Sequence, residues 1–136
     1  MSVVIQEEAT GCGIASAANI LGLSYAEAKA TANSMGIYAS DEALFSDTAY
    51  MRRLLDAYGV KTSADETLFA GWNALPNTAL LSIKHHYENG KPFWHWVVFK
   101  RTSAGEVLLD SAAYLDNNEI TDFSAIKPTW YISVSA

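Results

Sequence analysis

The chain has a single cysteine, Cys12, among its 136 residues. An internal disulfide is therefore impossible, and without a C-x-x-C pair a cysteine-based structural zinc site is excluded too. Basic residues are scarce: nine Lys and Arg stand against fifteen Asp and Glu, the net charge is -6, and no basic run is longer than a pair such as Arg52-Arg53. Phosphate-backbone binding has little to work with, which sets nucleic acid aside as a partner. Long apolar runs are also missing, and nothing approaches the ~20 residues needed to cross a bilayer. The start, Met1-Ser2-Val3-Val4-Ile5-Gln6-Glu7-Glu8, has neither the basic region nor the apolar stretch of a secretory signal, so the chain reads as cytoplasmic.

What is present is ordinary globular material, with 50% hydrophobic and 12% aromatic residues. A chain of this length buries roughly two thirds of its unfolded surface, so one core and one domain over 1–136 are expected. The first half reads as helical. Residues 12 to 22 are small and apolar almost all round, which suits a buried helix that starts at or just before Cys12 and ends at Gly22. Ser24 with Glu27 three residues on is a capping-box pattern for a second helix reaching about Met35. A third is expected from Ser46 or Asp47 to Gly59. Beyond about residue 77, the runs 78–83, 93–101, 106–110 and 130–134 are rich in β-branched, aliphatic and aromatic residues and read as strands. Asn89-Gly90 and Ser103-Ala104-Gly105 supply hairpin turns between them, so the sheet should be antiparallel and the fold class α+β.

Cys12 heads a helix, where unpaired N–H groups and the helix dipole favour a thiolate, and the flanking Gly11 and Gly13 leave room for a substrate carbonyl. An isolated buried cysteine is more often plain core. Its company changes the odds. Gln6, six positions upstream, can bring its amide beside the thiol as an oxyanion donor. His95 lies in Phe93-Trp94-His95-Trp96-Val97-Val98-Phe99, where alternation places it on one face with Val97 and Phe99. Asp110 closes the next strand, and a hairpin at Gly105 sets it where it can accept a hydrogen bond from His95 and fix the tautomer. A zinc site from His85, His86 and His95 is disfavoured, because adjacent residues on a strand point to opposite faces.

The segment Gln6-Glu7-Glu8-Ala9-Thr10-Gly11-Cys12-Gly13-Ile14-Ala15, followed by His95-Trp96-Val97-Val98-Phe99 and then Val107-Leu108-Leu109-Asp110, resembles the papain-like cysteine peptidases of the bacteriocin-processing family, the double-glycine leader peptidases. The resemblance implies a papain-like fold and a thiol hydrolase acting on a peptide or protein substrate. It implies Cys12 as nucleophile, His95 as general base and acid, Asp110 as orienting group, and Gln6 with the Cys12 backbone N–H as oxyanion donors. No metal or organic cofactor is called for. Association with a peptide exporter follows from the same likeness. The family usually carries Asp or Asn before its Cys and Pro after its Asp; this chain has Gly11 and Ser111. Two alternatives stay open: a cysteine deamidase or transglutaminase-like enzyme, which needs the same groups, and a binding module that holds a peptide without cutting it. The segment Trp72 to Asn77 is a candidate cover for the cleft.

Overall fold

The computed structural model describes residues 3–135; Met1, Ser2 and Ala136 lie outside the described residues. Three α-helices precede an antiparallel sheet, an α+β arrangement with Cys12 at the head of the first helix. Helix α1 (Cys12–Leu21) is buried on nearly every side, from Gly13 through Asn19. Small side chains permit this, since Ala15, Ala17 and Ala18 let α2, α3 and the sheet approach its backbone. Gly22 ends it in the left-handed conformation, φ 73°, which glycine adopts without a Cβ penalty.

Helix α2 (Tyr25–Ser34) carries the expected capping box: the Ser24 hydroxyl accepts the Glu27 N–H at 3.1 Å, and the Glu27 carboxylate accepts the Ser24 N–H at 3.0 Å. Helix α3 (Ala49–Asp56) is shorter than its sequence suggests. The Asp47 carboxylate accepts the Ala49 N–H, and this local turn delays the helix beyond the expected start at Ser46 or Asp47. Tyr50, Met51, Leu54 and Leu55 face the core.

The strands are β1 (Lys61–Thr62), β2 (Thr67–Leu68), β3 (Thr78–Glu88), β4 (Lys91–Thr102), β5 (Gly105–Leu109), β6 (Glu119–Ile120) and β7 (Trp130–Ser135). Their order is β1-β7-β3-β4-β5-β6, with β2 also on β7, and every pairing is antiparallel. Asn89 and Gly90, at φ 51° and 79°, close the β3–β4 hairpin in a turn that matches strand twist. The ladder slips between Ile83 and His86, and Lys84 takes φ 54° there. This bulge lies across from His95, where bulges characteristically re-aim a side chain.

Alternation along β4 sends Trp96 and Val98 toward the helices, into a core shared with Ile14, Leu54 and Leu80. Val97 and Phe99 face a second cluster with Leu81, Leu108 and Tyr131. Trp72 belongs to that second cluster, stacked on Phe123, and Arg101 donates to the carbonyls of Trp72 and Leu75. The Trp72 to Asn77 segment thus covers the sheet face away from the helices rather than a cleft at Cys12. No helix among the described residues is long and apolar enough to cross a membrane.

Ala17 is fully enclosed. Ala17→Leu should lower stability by about 1–3 kcal/mol through overpacking, and Ser24→Ala by about 1 kcal/mol through loss of the cap. Urea unfolding followed by circular dichroism checks both, with the midpoint moving and the slope unchanged.

Candidate active site

Cys12 is the first residue of α1 and is half-buried. No side chain caps this helix end, and among the described residues the Cys12 and Gly13 N–H groups have no acceptor. These donors and the positive end of the helix dipole lie at the residue that carries the thiol. The two flanking glycines do not keep a space open for substrate, as their size alone suggested. A Cβ on Gly11 would stand 2.3 Å from the Tyr25 hydroxyl, and one on Gly13 would stand 2.3 Å from the Tyr50 hydroxyl. Two phenols, both buried, occupy that room.

His95 and Asp110 meet across adjacent strands. Val98 pairs with Leu109, so the β4–β5 hairpin carries Asp110, one residue past β5, alongside the strand of His95. The His95 Nε2 to Asp110 Oδ1 distance is 2.7 Å, with the carboxylate side chain almost fully enclosed. The same carboxylate oxygen accepts the Ala112 N–H at 3.0 Å. Asn118 clamps this turn: its side-chain amide donates to the carbonyls of Asp110 and Ala112, and its own carbonyl accepts the Asp110 N–H. Burial pushes the imidazolium toward losing its proton, but the Asp110 hydrogen bond, the Cys12 thiol and the charges of both outweigh it and hold His95 up to about 10. Burial likewise resists ionisation of Asp110, yet His95 and the Ala112 N–H hold it below the usual carboxylate range. Nε2 is committed to Asp110, so Nδ1 is the nitrogen left for the thiol.

Gln6 is fixed by contacts distant in sequence. Its backbone N–H donates to the Ser111 carbonyl at 3.0 Å, and its side-chain oxygen accepts the Ser111 hydroxyl at 2.9 Å. Just upstream, Asn19 of α1 pairs with both backbone groups of Val4. The Gln6 amide nitrogen donates to the carbonyls of Glu8 and Ala9 at 3.1 and 3.0 Å, so it turns into its own loop. The fold therefore brings Gln6, Cys12, His95 and Asp110 to one end of α1, with the Gln6 N–H groups already partnered.

Cys12 and His95 share a cleft walled by Thr10, Phe45, Tyr50, Phe93, Trp94 and Trp96. On its other side His95 borders a groove that includes Gln6, Lys84 and Tyr114. The other histidines go elsewhere: His85 stacks on Trp94, and His86 pairs with Glu88 at 2.7 Å. Among the described residues no group of three or more His, Cys, Asp and Glu could hold a metal ion. Ser111, Asn118 and Tyr50 are site residues that the linear sequence does not single out, since their partners are remote in the chain. The departure from Pro at Ser111 was the one available signal.

His95 should remain an imidazolium through neutral pH and titrate near 10, and Asp110→Asn should bring it down toward the ordinary 6.5, as read by NMR of the ring carbons. The folded value lies above the unfolded one. The pair's stabilisation is therefore complete below about pH 6.5 and is lost as pH rises through about 10. Asp110, held low, sets the acid edge: its contribution is present above the usual value near 3.8 and fails as pH falls further.

No family model matches the sequence, and no curated protein matches it. Among solved structures, the fold is similar to the crystal structure of a double glycine motif protease from an AMS/PCAT transporter in complex with the leader peptide. The identity is 14% and the TM-score 0.63, over 98% of this chain and 89% of that one. At that identity the likeness establishes the papain-like α+β fold, with N-terminal helices packed on a C-terminal antiparallel sheet.

Proposed function

We propose that the chain, as one domain over 1–136, is a thiol hydrolase that cleaves a peptide bond. The observation that carries this reading is the 2.7 Å contact between buried Asp110 and His95, with His95 in turn lining the cleft that holds Cys12. In this reaction His95, held up to about 10 by its partners, takes the Cys12 proton and leaves a thiolate as the nucleophile.

The Cys12 sulfur adds to the scissile carbonyl carbon, and the C=O electron pair moves onto oxygen. That oxygen accepts from the Cys12 N–H and from Gln6, one of whose N–H groups exchanges its loop carbonyl for the oxyanion. His95 then gives its proton to the leaving amine as the C–N bond breaks, which leaves a thioester. Water attacks the thioester while neutral His95 takes its proton, and release of the acid restores the thiolate–imidazolium pair. Asp110 holds the ring in the orientation these transfers need. No step requires a metal or an organic cofactor.

His95 borders both the aromatic cleft and the groove beyond it, so an extended peptide can run from one to the other across the sulfur. The likeness to a protease taken from a transporter and bound to a leader peptide supports a leader-type peptide as substrate and a peptide exporter as partner.

Incubation with a peptide panel, with and without a Gly-Gly step, read by mass spectrometry, tests the reaction class. Paired fragments from wild type and none from Cys12→Ser are expected. A gain of about one mass unit on an intact peptide would instead mark a deamidase, and stoichiometric binding without product a non-catalytic module. Gln6→Ala should slow turnover by about 100- to 1000-fold with acylation still detectable, and an unchanged rate would remove Gln6 from the oxyanion site.

A further inference from the structure

Tyr50 is a buried phenol next to the nucleophile with a proton to spare. Its ring comes from the first turn of α3, and its hydroxyl presses on the Cα of Gly13, the residue after Cys12. The Trp96 indole N–H donates to that oxygen at 3.1 Å, which fixes its position from the β4 side. Among the described residues the hydroxyl proton itself has no acceptor, although Tyr50 is only 8% exposed. A buried donor left unpaired is costly, and such groups usually face a ligand or a water. Tyr50 lines the cleft that Cys12 and His95 share, and also a hollow toward Ile14, Ile37 and Leu44. Among the described residues no hydrogen bond joins the phenol to the sulfur, so the hydroxyl proton is available to a substrate oxygen.

The expected second oxyanion donor, meanwhile, has both amide N–H groups on the carbonyls of Glu8 and Ala9. We infer that Tyr50 is a further catalytic residue of this site, donating its hydroxyl hydrogen to the carbonyl oxygen of a substrate as that oxygen becomes negative on Cys12. The inference rests on the thiol-hydrolase reading above. The phenol keeps its proton throughout, giving a hydrogen bond and no proton transfer. Burial and then the negative charge of Cys12 push its ionisation well above the usual phenol value, so it acts only as a donor. It would work beside the Cys12 N–H and Gln6, as a third donor to the same oxygen.

N-acetylglycinal tests this with a real tetrahedral oxygen. Cys12 adds to the aldehyde carbon, the former carbonyl oxygen takes a proton from His95, and the hemithioacetal shields the sulfur from iodoacetamide. Alkylation alone creates no such oxygen. Tyr50→Phe, with folding checked by circular dichroism, should raise the aldehyde concentration for half-protection roughly tenfold to hundredfold. The rate and pH dependence of alkylation without aldehyde should stay at the wild-type level. Unchanged protection would overturn the inference, as would protection and alkylation weakening together, since that pattern describes a damaged nucleophile. If Tyr50→Phe does not fold, Trp96→Phe, which keeps the phenol but removes the N–H that aims it, should show the same split on a smaller scale. Wild-type Cys12 that resists alkylation at pH 6 would sink the hydrolase reading, whereas wild-type Cys12 that reacts there but gains no protection from the aldehyde would sink the Tyr50 inference alone.

Discussion

The contact between His95 and Asp110 is the constraint around which this end of the molecule is arranged. A carboxylate almost fully enclosed by protein must be paired, because removing one partner of a buried ion pair typically costs about 3–5 kcal/mol. The long strand β4, the short β5 and the tight hairpin between them bring the groups together, the Ala112 N–H supplies a further bond, and Asn118 stops the following turn from drifting. The ring is then fixed at one nitrogen, which leaves the other for the Cys12 thiol. Helix α1, whose small residues let it lie against β4, delivers Cys12 to the same place.

Both departures from the peptidase pattern have local physical reasons. Gly11 takes the place usually held by Asp or Asn because the Tyr25 hydroxyl fills that space while donating to Glu8 at 2.6 Å. Ser111 takes the place usually held by Pro, and its hydroxyl and carbonyl are what tether Gln6. Both positions tie the site to groups that arrive from other elements. Lys84, in a left-handed conformation at the β3 bulge, lies close enough for its charge to favour the Asp110 carboxylate, so the irregularity in the sheet also faces this site.

The elements that announce themselves locally were legible in the sequence. The capping box at Ser24, the glycine after Leu21 and the Asn89-Gly90 turn each act over a few residues, and each marks a real boundary. The start of α3 was misread because a side-chain turn at Asp47 competes with helix without leaving a distinctive pattern. The two-residue strands β1, β2 and β6 have too little length to show periodicity, and β1 and β2 exist only because β7 pairs with them. At the site, the positions of Cys12, His95 and Asp110 followed from helix and strand grammar. The occupied amide of Gln6 did not, since its partner Ser111 lies 105 residues away. The same holds for Tyr50, whose place against Gly13 and Trp96 is decided by packing between α1, α3 and β4.

The proposed chemistry depends on Cys12 and His95 forming a thiolate–imidazolium pair. Its most direct test is intact-mass labelling with limiting iodoacetamide from pH 4 to 9, comparing wild type with a folded His95→Ala variant. Rapid alkylation of Cys12 well below pH 8 is expected in wild type, and its loss in the variant. A Cys12 that stays inert until the protein unfolds, or that reacts identically without His95, would contradict it.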